Sequence, residues 1–229
     1  MSALLTLQQV SVHYQGRAAL TDVSGELCRG ALCAVVGANG AGKSTLLKAI
    51  LGLIPLHSGQ VQLQLARQGI GYLPQQSEIV RSFPMIVRDC ALLGTWQRTG
   101  LFGAIPRAVQ SRVDMALDMV GLAALAHTPI SALSAGQFQR VLFARLIVQD
   151  AQLMLLDEPF NAIDAATTAL LLSLIKEWHR MGRTVLAVLH DYAQVRDHFP
   201  QTLCLAQRVL AWGATDQVLC AVDATKATS

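Results

Sequence analysis

Residues 31–36, Ala-Leu-Cys-Ala-Val-Val, run without a polar break into Gly37-Ala38-Asn39-Gly40-Ala41-Gly42-Lys43-Ser44-Thr45. Leu46, Leu47, Ile50 and Leu51 then recur at helical spacing, and Gly52 and Pro55 stop the helix they define. A buried strand, a glycine-rich turn and a helix in that order point to the α/β class, with the turn at the carboxyl end of a sheet. The glycines let backbone N–H groups turn inward on an anion, and the helix presents its positive end to the same place. Lys43 is placed to reach the β- and γ-phosphates of a nucleotide, and the Ser44 hydroxyl to ligate Mg²⁺. A glycine-rich turn that binds nothing has similar flanks, but it does not require the complete Gly/Lys/Ser spacing seen here.

Two further runs, Leu153–Leu156 and Thr184–Leu189, are apolar at nearly every position. Central strands of a parallel sheet read this way when helices cover both faces. Residues 60–65, Gln-Val-Gln-Leu-Gln-Leu, alternate strictly and predict a strand with one wet face. From about Val87 to Gln149 the pattern becomes helix after helix, with Val109, Val113, Ala116, Leu117 and Val120 on one face of residues 108–120. The division expected is a core with a β subdomain over 1–80 and 151–229, and an inserted helical subdomain over 81–150.

Apolar residues make up 52% of the 229-residue chain, a high share, yet no run approaches the roughly eighteen residues that cross a bilayer. The surplus therefore belongs in a core or at an interface, such as one with a membrane protein. Met1–Gln8 lacks the basic and long apolar segments of a secretion signal. Five cysteines without a Cys-x-x-Cys pair read as thiols of a reducing compartment. A net charge of +3, spread along the chain, disfavours a nucleic-acid surface.

The Leu153–Leu156 run ends in Asp157-Glu158. Ligands of open parallel sheets bind beyond the carboxyl ends of the strands, so these carboxylates and the glycine-rich turn can meet. Asp157 suits Mg²⁺, directly or through water, and Glu158 suits orienting or deprotonating a water that attacks a γ-phosphate. Alone, such a pair is more often a solvated turn. His190 ends the next apolar strand, where its imidazole can reach the γ-phosphate; a lone strand-end histidine is otherwise structural. Leu133-Ser134-Ala135-Gly136-Gln137 opens another helix, and Ser134 with Gln137 has the capping-box spacing. The same hydroxyl and free N–H groups also form an anion site.

With these residues in this order, the chain resembles the nucleotide-binding subunits of ATP-binding-cassette (ABC) transporters over essentially its whole length. Gly37–Thr45 is similar to their Walker A motif, Gln75 in Tyr72-Leu73-Pro74-Gln75 to the Q-loop, and Leu133–Gln137 to the signature. Leu153–Asp157 is similar to Walker B with Glu158 after it, Asn161-Ala162-Ile163-Asp164 to the D-loop, and His190 to the H-loop. The resemblance implies a RecA-like parallel sheet core, an antiparallel β subdomain and an inserted helical subdomain. It implies ATP and Mg²⁺ as cofactors. Tyr14 would then stack on adenine, and Gly37, Ala38, Asn39, Gly40, Ala41, Gly42, Lys43, Ser44 and Thr45 would surround the phosphates. Ser44, Gln75 and Asp157 would face Mg²⁺, while Glu158, His190 and Gln75 would serve hydrolysis. It also implies a head-to-tail homodimer in which Ser134 and Gly136 of one copy complete the phosphate site of the other, with Gln137 and Asp164 also among the nucleotide-binding residues. The chain departs from the family pattern at Ala135, where a second glycine is usual, and at Asn161 and Ile163, where a small residue and leucine are commoner. At the first helical position Ala135 has an ordinary φ.

The resemblance further implies ATPase activity, separate transmembrane permease chains met by residues 75–94, and a peripheral location on the cytoplasmic face of the plasma membrane. Ser82–Cys90, Ser-Phe-Pro-Met-Ile-Val-Arg-Asp-Cys, is similar to the Phe-Pro-x-x-Val-x-Asp stretch of zinc and manganese importer ATPases. The expected cargo is thus a divalent metal ion, zinc first, with manganese and iron or chelated iron as alternatives. A periplasmic or surface metal-binding protein would deliver it. ABC ATPases that act on nucleic acid or the ribosome stay open as another class. They usually carry coiled-coil insertions, zinc modules or a second fused cassette, and no nucleic-acid partner is expected here. A GTPase or kinase with the same phosphate loop would leave Ser134–Gln137 and His190 without a purpose.

Overall fold

The computed structural model describes residues 2–96 and 106–227, so residues 97–105 of the expected helical segment lie outside the described residues. Six strands form one sheet in the spatial order Ile70–Leu73 (β5), Leu153–Asp157 (β6), Thr184–Val188 (β7), Leu32–Val36 (β3), Gln201–Ala206 (β8) and Arg208–Ala214 (β9). Every neighbouring pair is parallel except β8 with β9. The central runs show no polar alternation because both faces of this sheet are covered. Leu32, Ala34, Val36, Met154, Leu156, Val185 and Ala187 enter one core, while Cys33, Val35, Leu153, Leu155, Leu186 and Val188 enter the other.

The first core is closed by Val87–Leu92 (α2), Arg107–Met119 (α3), Ala135–Gln149 (α4) and Ala165–Arg180 (α5), whose buried apolar side chains join it. Val113, Ala116 and Leu117 form the buried face of α3, as their spacing predicts, and the helix begins one residue early, after Pro106. The second core lies under Lys43–Leu51 (α1) and a three-stranded antiparallel sheet in the order Arg17–Cys28 (β2), Ala3–Tyr14 (β1), Ser58–Leu63 (β4). The alternating segment expected at 60–65 is this edge strand; Gln60 and Gln62 face water while Val61 and Leu63 pack on the second core. Gly52 ends α1 in the left-handed conformation, φ 68°, and returns its N–H to the last turn. Tyr192–His198 (α6) and Thr215–Ala227 (α7) flank the β8 end of the large sheet. Among the described residues, no helix is long and apolar enough to cross a membrane.

This order places β3, β6 and β7 side by side, so the turns at 37–43, 157–162 and 189–191 leave the same sheet edge.

Candidate active site

Strand β3 delivers the chain to Gly37, whose φ is 151° and where a Cβ would stand 2.1 Å from the Leu205 carbonyl oxygen of β8. Glycine is required there because a neighbouring backbone passes against the turn. Gly42, φ 92°, caps α1 without a side chain, and a Cβ on it would meet the Ala19 carbonyl oxygen at 2.5 Å. Lys43, first in α1, donates from Nζ to the Gly37 and Ala38 carbonyl oxygens, each at 2.9 Å. Burial holds its ammonium below the ordinary lysine pKa, while the charges of Glu158 and Asp157 push the other way.

Asp157 closes β6 and is 1% exposed. Its Oδ1 accepts from Ser44 Oγ at 3.0 Å, while Oδ2 is buried without a partner. Burial raises its pKa above the usual carboxylate value, the Ser44 hydrogen bond only partly offsetting this. A buried carboxylate oxygen lacking a donor, beside a hydroxyl, is a donor set that fits a hard cation such as Mg²⁺. The raised pKa also sets a stability cost. The folded chain keeps the Asp157 proton to higher pH than the unfolded chain does, so stability is lost as pH rises through that interval. Asp157→Asn, whose carbonyl oxygen can still accept from Ser44, is expected to raise the melting temperature of the nucleotide-free chain at neutral pH. A gain of about 1 kcal/mol corresponds to roughly 2–4 °C in a chain of this size. The gain should fade toward pH 4; thermal unfolding at several pH values that shows a lower melting temperature at neutral pH would refute it.

Glu158 follows with φ 51°, in the left-handed region, a conformation costing about 1–3 kcal/mol for a residue with a side chain. Its carboxylate is gripped from three directions. Gln75 Nε2 donates to Oε2 at 2.9 Å, Asn161 Nδ2 donates to Oε2 at 3.1 Å, and His190 Nε2 lies 2.6 Å from Oε1. These side chains and the glycine-rich turn line a cleft of about 750 Å³ that also includes Ala19, Asn39, Gly40, Gly42, Lys43, Ser44 and Thr45. Asp157 lies behind Ser44.

The other nominated residues are not in the cleft lining. Gly37, Ala38 and Ala41 shape the turn: Gly37 and Ala38 hold Lys43, and the Ala41 carbonyl accepts from the Gln207 N–H at 2.9 Å. Tyr14 ends β1 and is 47% exposed. Ser134 and Gln137 form a complete capping box at the start of α4, with bonds of 3.1 and 2.9 Å. Ala135 occupies the first helical position and is not among the residues with positive φ. Asp164 caps α5, accepting from the Thr167 N–H at 2.8 Å and its hydroxyl at 2.9 Å. The Thr167 N–H, before its hydroxyl, holds the Asp164 carboxyl below its ordinary pKa. A Cβ on Gly136 would lie 3.3 Å from Asp164 Oδ2, so these two helix starts are neighbours. Asn161 and Ala19 line the cleft without having been nominated for it. An amide three residues beyond the strand-end carboxylate was the one available signal for Asn161.

Residues 20–161 match the profile of the ABC transporter family. The manganese transport system ATP-binding protein MntB of Listeria innocua is 38% identical over 218 residues, which cover 93% of this chain and 91% of that protein. The zinc transport system ATP-binding protein TroB of Treponema pallidum is 39% identical over 213 residues, covering 91% and 80%. Among solved structures, a chain described as part of a metal-chelate type ABC transporter in an inward-facing conformation superposes with a TM-score of 0.84 at 31% identity, covering 95% of this chain and 86% of its own.

Proposed function

The chain belongs to the ABC transporter family, and from that premise we propose that it is the ATP-hydrolysing subunit of an importer for a divalent metal ion. The observation that carries the site assignment is the Glu158 carboxylate, held by Gln75, Asn161 and His190 at the mouth of the Lys43–Ser44 turn. In this reading the backbone of residues 37–45 and Lys43 bind the phosphates of ATP, and Tyr14 stacks on adenine from the β1 end. Glu158 takes the proton of the water that attacks the γ-phosphorus, as the bond to the β-phosphate oxygen breaks and ADP departs. Gln75 and His190 hold Glu158 and that water in line. Ser44 and Asp157, with the Gln75 carbonyl oxygen, would hold Mg²⁺. A cation held there would supply positive charge against the phosphates.

Ser134, Gly136, Gln137 and Asp164 lie outside the cleft of their own chain, which supports their service to a second copy packed head-to-tail. Two copies would enclose two ATP molecules, and closing and opening of that pair would drive permease chains from the cytoplasmic face. The exposed side chains of Val80, Phe83 and Leu93, within the stretch expected to meet the permease, are consistent with such a contact. The division into a core with β subdomain over 1–80 and 151–229 and a helical subdomain over 81–150 belongs to the same reading.

Zinc is the first cargo reading, from the Phe83–Asp89 stretch and the similarity to TroB; manganese is the second, favoured by the similarity to MntB. The metal would be selected by the permease and an external binding protein. Cells lacking this chain are expected to lose high-affinity zinc uptake, which the wild-type chain restores and Lys43→Ala does not. Lost manganese uptake with zinc unaffected would transfer the cargo to the second reading. Unchanged uptake of zinc, manganese and iron would remove the importer reading.

A further inference from the structure

Gln139 lies in the second turn of α4, 1% exposed, among core residues that include Phe138, Leu142 and Phe143. An amide so buried costs free energy unless both of its ends are paired, and both are. Its Nε2 donates to the Pro159 carbonyl oxygen at 2.7 Å. Its Oε1 accepts from Gln76 Nε2 at 2.6 Å, and Gln76 Nε2 also lies 3.3 Å from the Ala135 carbonyl oxygen. Pro159 directly follows Glu158, and Gln76 directly follows Gln75. Gln139 therefore ties together Pro159 and Gln76, the chain neighbours of the two residues whose side chains meet in the cleft at 2.9 Å. Pro159 has no N–H, so its carbonyl oxygen is that residue's one backbone hydrogen-bonding group. The residue before it has the left-handed φ of 51°, a conformation that persists only where its surroundings hold it.

We propose that Gln76 and Gln139 are positioning residues, an amide clasp that locks the Glu158–Pro159 turn and the Gln75 loop to the first turns of α4. The clasp sets where the Glu158 carboxylate stands over the Lys43–Ser44 turn. It touches neither nucleotide nor the attacking water, and it rests on the reading of Glu158 as the proton acceptor. Because Ser134 and Gly136 open the same helix, a shift of the α4 start is transmitted to the Glu158 of its own chain through the Gln139–Pro159 bond.

The test compares the purified full chain with Gln76→Leu and Gln139→Glu, reading kcat, KM, binding of a fluorescent ATP analogue and thermal unfolding. Gln76 is half-buried, and leucine keeps its bulk while severing the clasp. Gln76→Leu is expected to lower kcat by about tenfold with KM and analogue affinity changed by less than about threefold, the signature of lost alignment rather than lost binding. In Gln139→Glu, a carboxylate cannot donate to Pro159, but the protonated acid can, and its carbonyl oxygen still accepts from Gln76. Its kcat relative to wild type should therefore rise as pH falls from about 8.5 to about 6, measured where circular dichroism shows the variant fully folded at both values. A Gln76→Leu kcat within about twofold of wild type, or a Gln139→Glu ratio that falls as pH falls, overturns the clasp. If Gln139→Glu does not fold, Gln76→Leu decides alone. Glu158→Gln, run in parallel, separates the two claims: retained turnover there overturns the Glu158 reading and the clasp with it. Lost turnover there with unaltered Gln76→Leu overturns the clasp only.

Discussion

Glu158→Gln is expected to lower ATP turnover by about a thousandfold while nucleotide affinity stays within about threefold of wild type. The substitution changes little in shape. The amide oxygen can still accept from Gln75 Nε2, which stands 2.9 Å from the carboxylate, and the cleft walls at Lys43 and Ser44 are untouched. What disappears is the carboxylate proposed to accept the proton of the attacking water, so the loss is expected to fall on kcat. With turnover blocked, the ATP-bound dimer should accumulate on a size-exclusion column where the wild-type chain elutes as a monomer after hydrolysis. Phosphate release within about tenfold of wild type would mean that another group takes the proton.

Ser134→Arg is expected to abolish turnover, by about a hundredfold or more, while a single chain still binds nucleotide nearly as well as wild type. The reason is positional. Ser134 is exposed at the start of α4 and is absent from the lining of its own cleft, so its loss leaves the Lys43–Ser44 turn intact. Losing the cap to the Gln137 N–H costs about 1 kcal/mol of local stability, too little to unfold a helix whose apolar residues fill the core. In the proposed head-to-tail pair the arginine would occupy the position from which the serine hydroxyl would meet the γ-phosphate of the other copy. Isothermal titration of the isolated chain, set beside phosphate release at concentrations that permit pairing, reads the two effects separately. Equal loss of both would place Ser134 at the nucleotide of its own chain and remove the composite site.

The central strands were readable because their cause is local: a side chain buried on either face of a doubly covered sheet must be apolar at every position. Leu153–Leu156 and Val185–Val188 show this run, and the alternating Gln-Val-Gln-Leu segment shows its one-faced counterpart. The glycine-rich turn was readable for a similar reason, since Gly37 and Gly42 answer to backbone crowding that few other residues tolerate. Asn161 was harder to see. It stands where the family usually has a small residue, and only the turn after β6, with Glu158 in its left-handed conformation, aims its amide at the carboxylate. The Gln76–Gln139 pair was invisible, because one glutamine in a polar loop and one in a capped helix carry no local mark of facing each other across 63 positions.

Residue order alone thus specified an α/β chain, its glycine-rich turn, and the carboxylates and imidazole at its strand ends, since periodicity and turn chemistry act over a few neighbouring positions. Which of these groups meet was decided by the packing of β6 between β5 and β7, with β7 beside β3. That order brings Gln75 onto Glu158 across 83 positions, sets Ser44 against Asp157 across 113, and leaves the Ser134 helix start away from its own cleft. Contacts over such separations depend on which strands pair, and pairing is settled only when both faces of the sheet find their apolar cover.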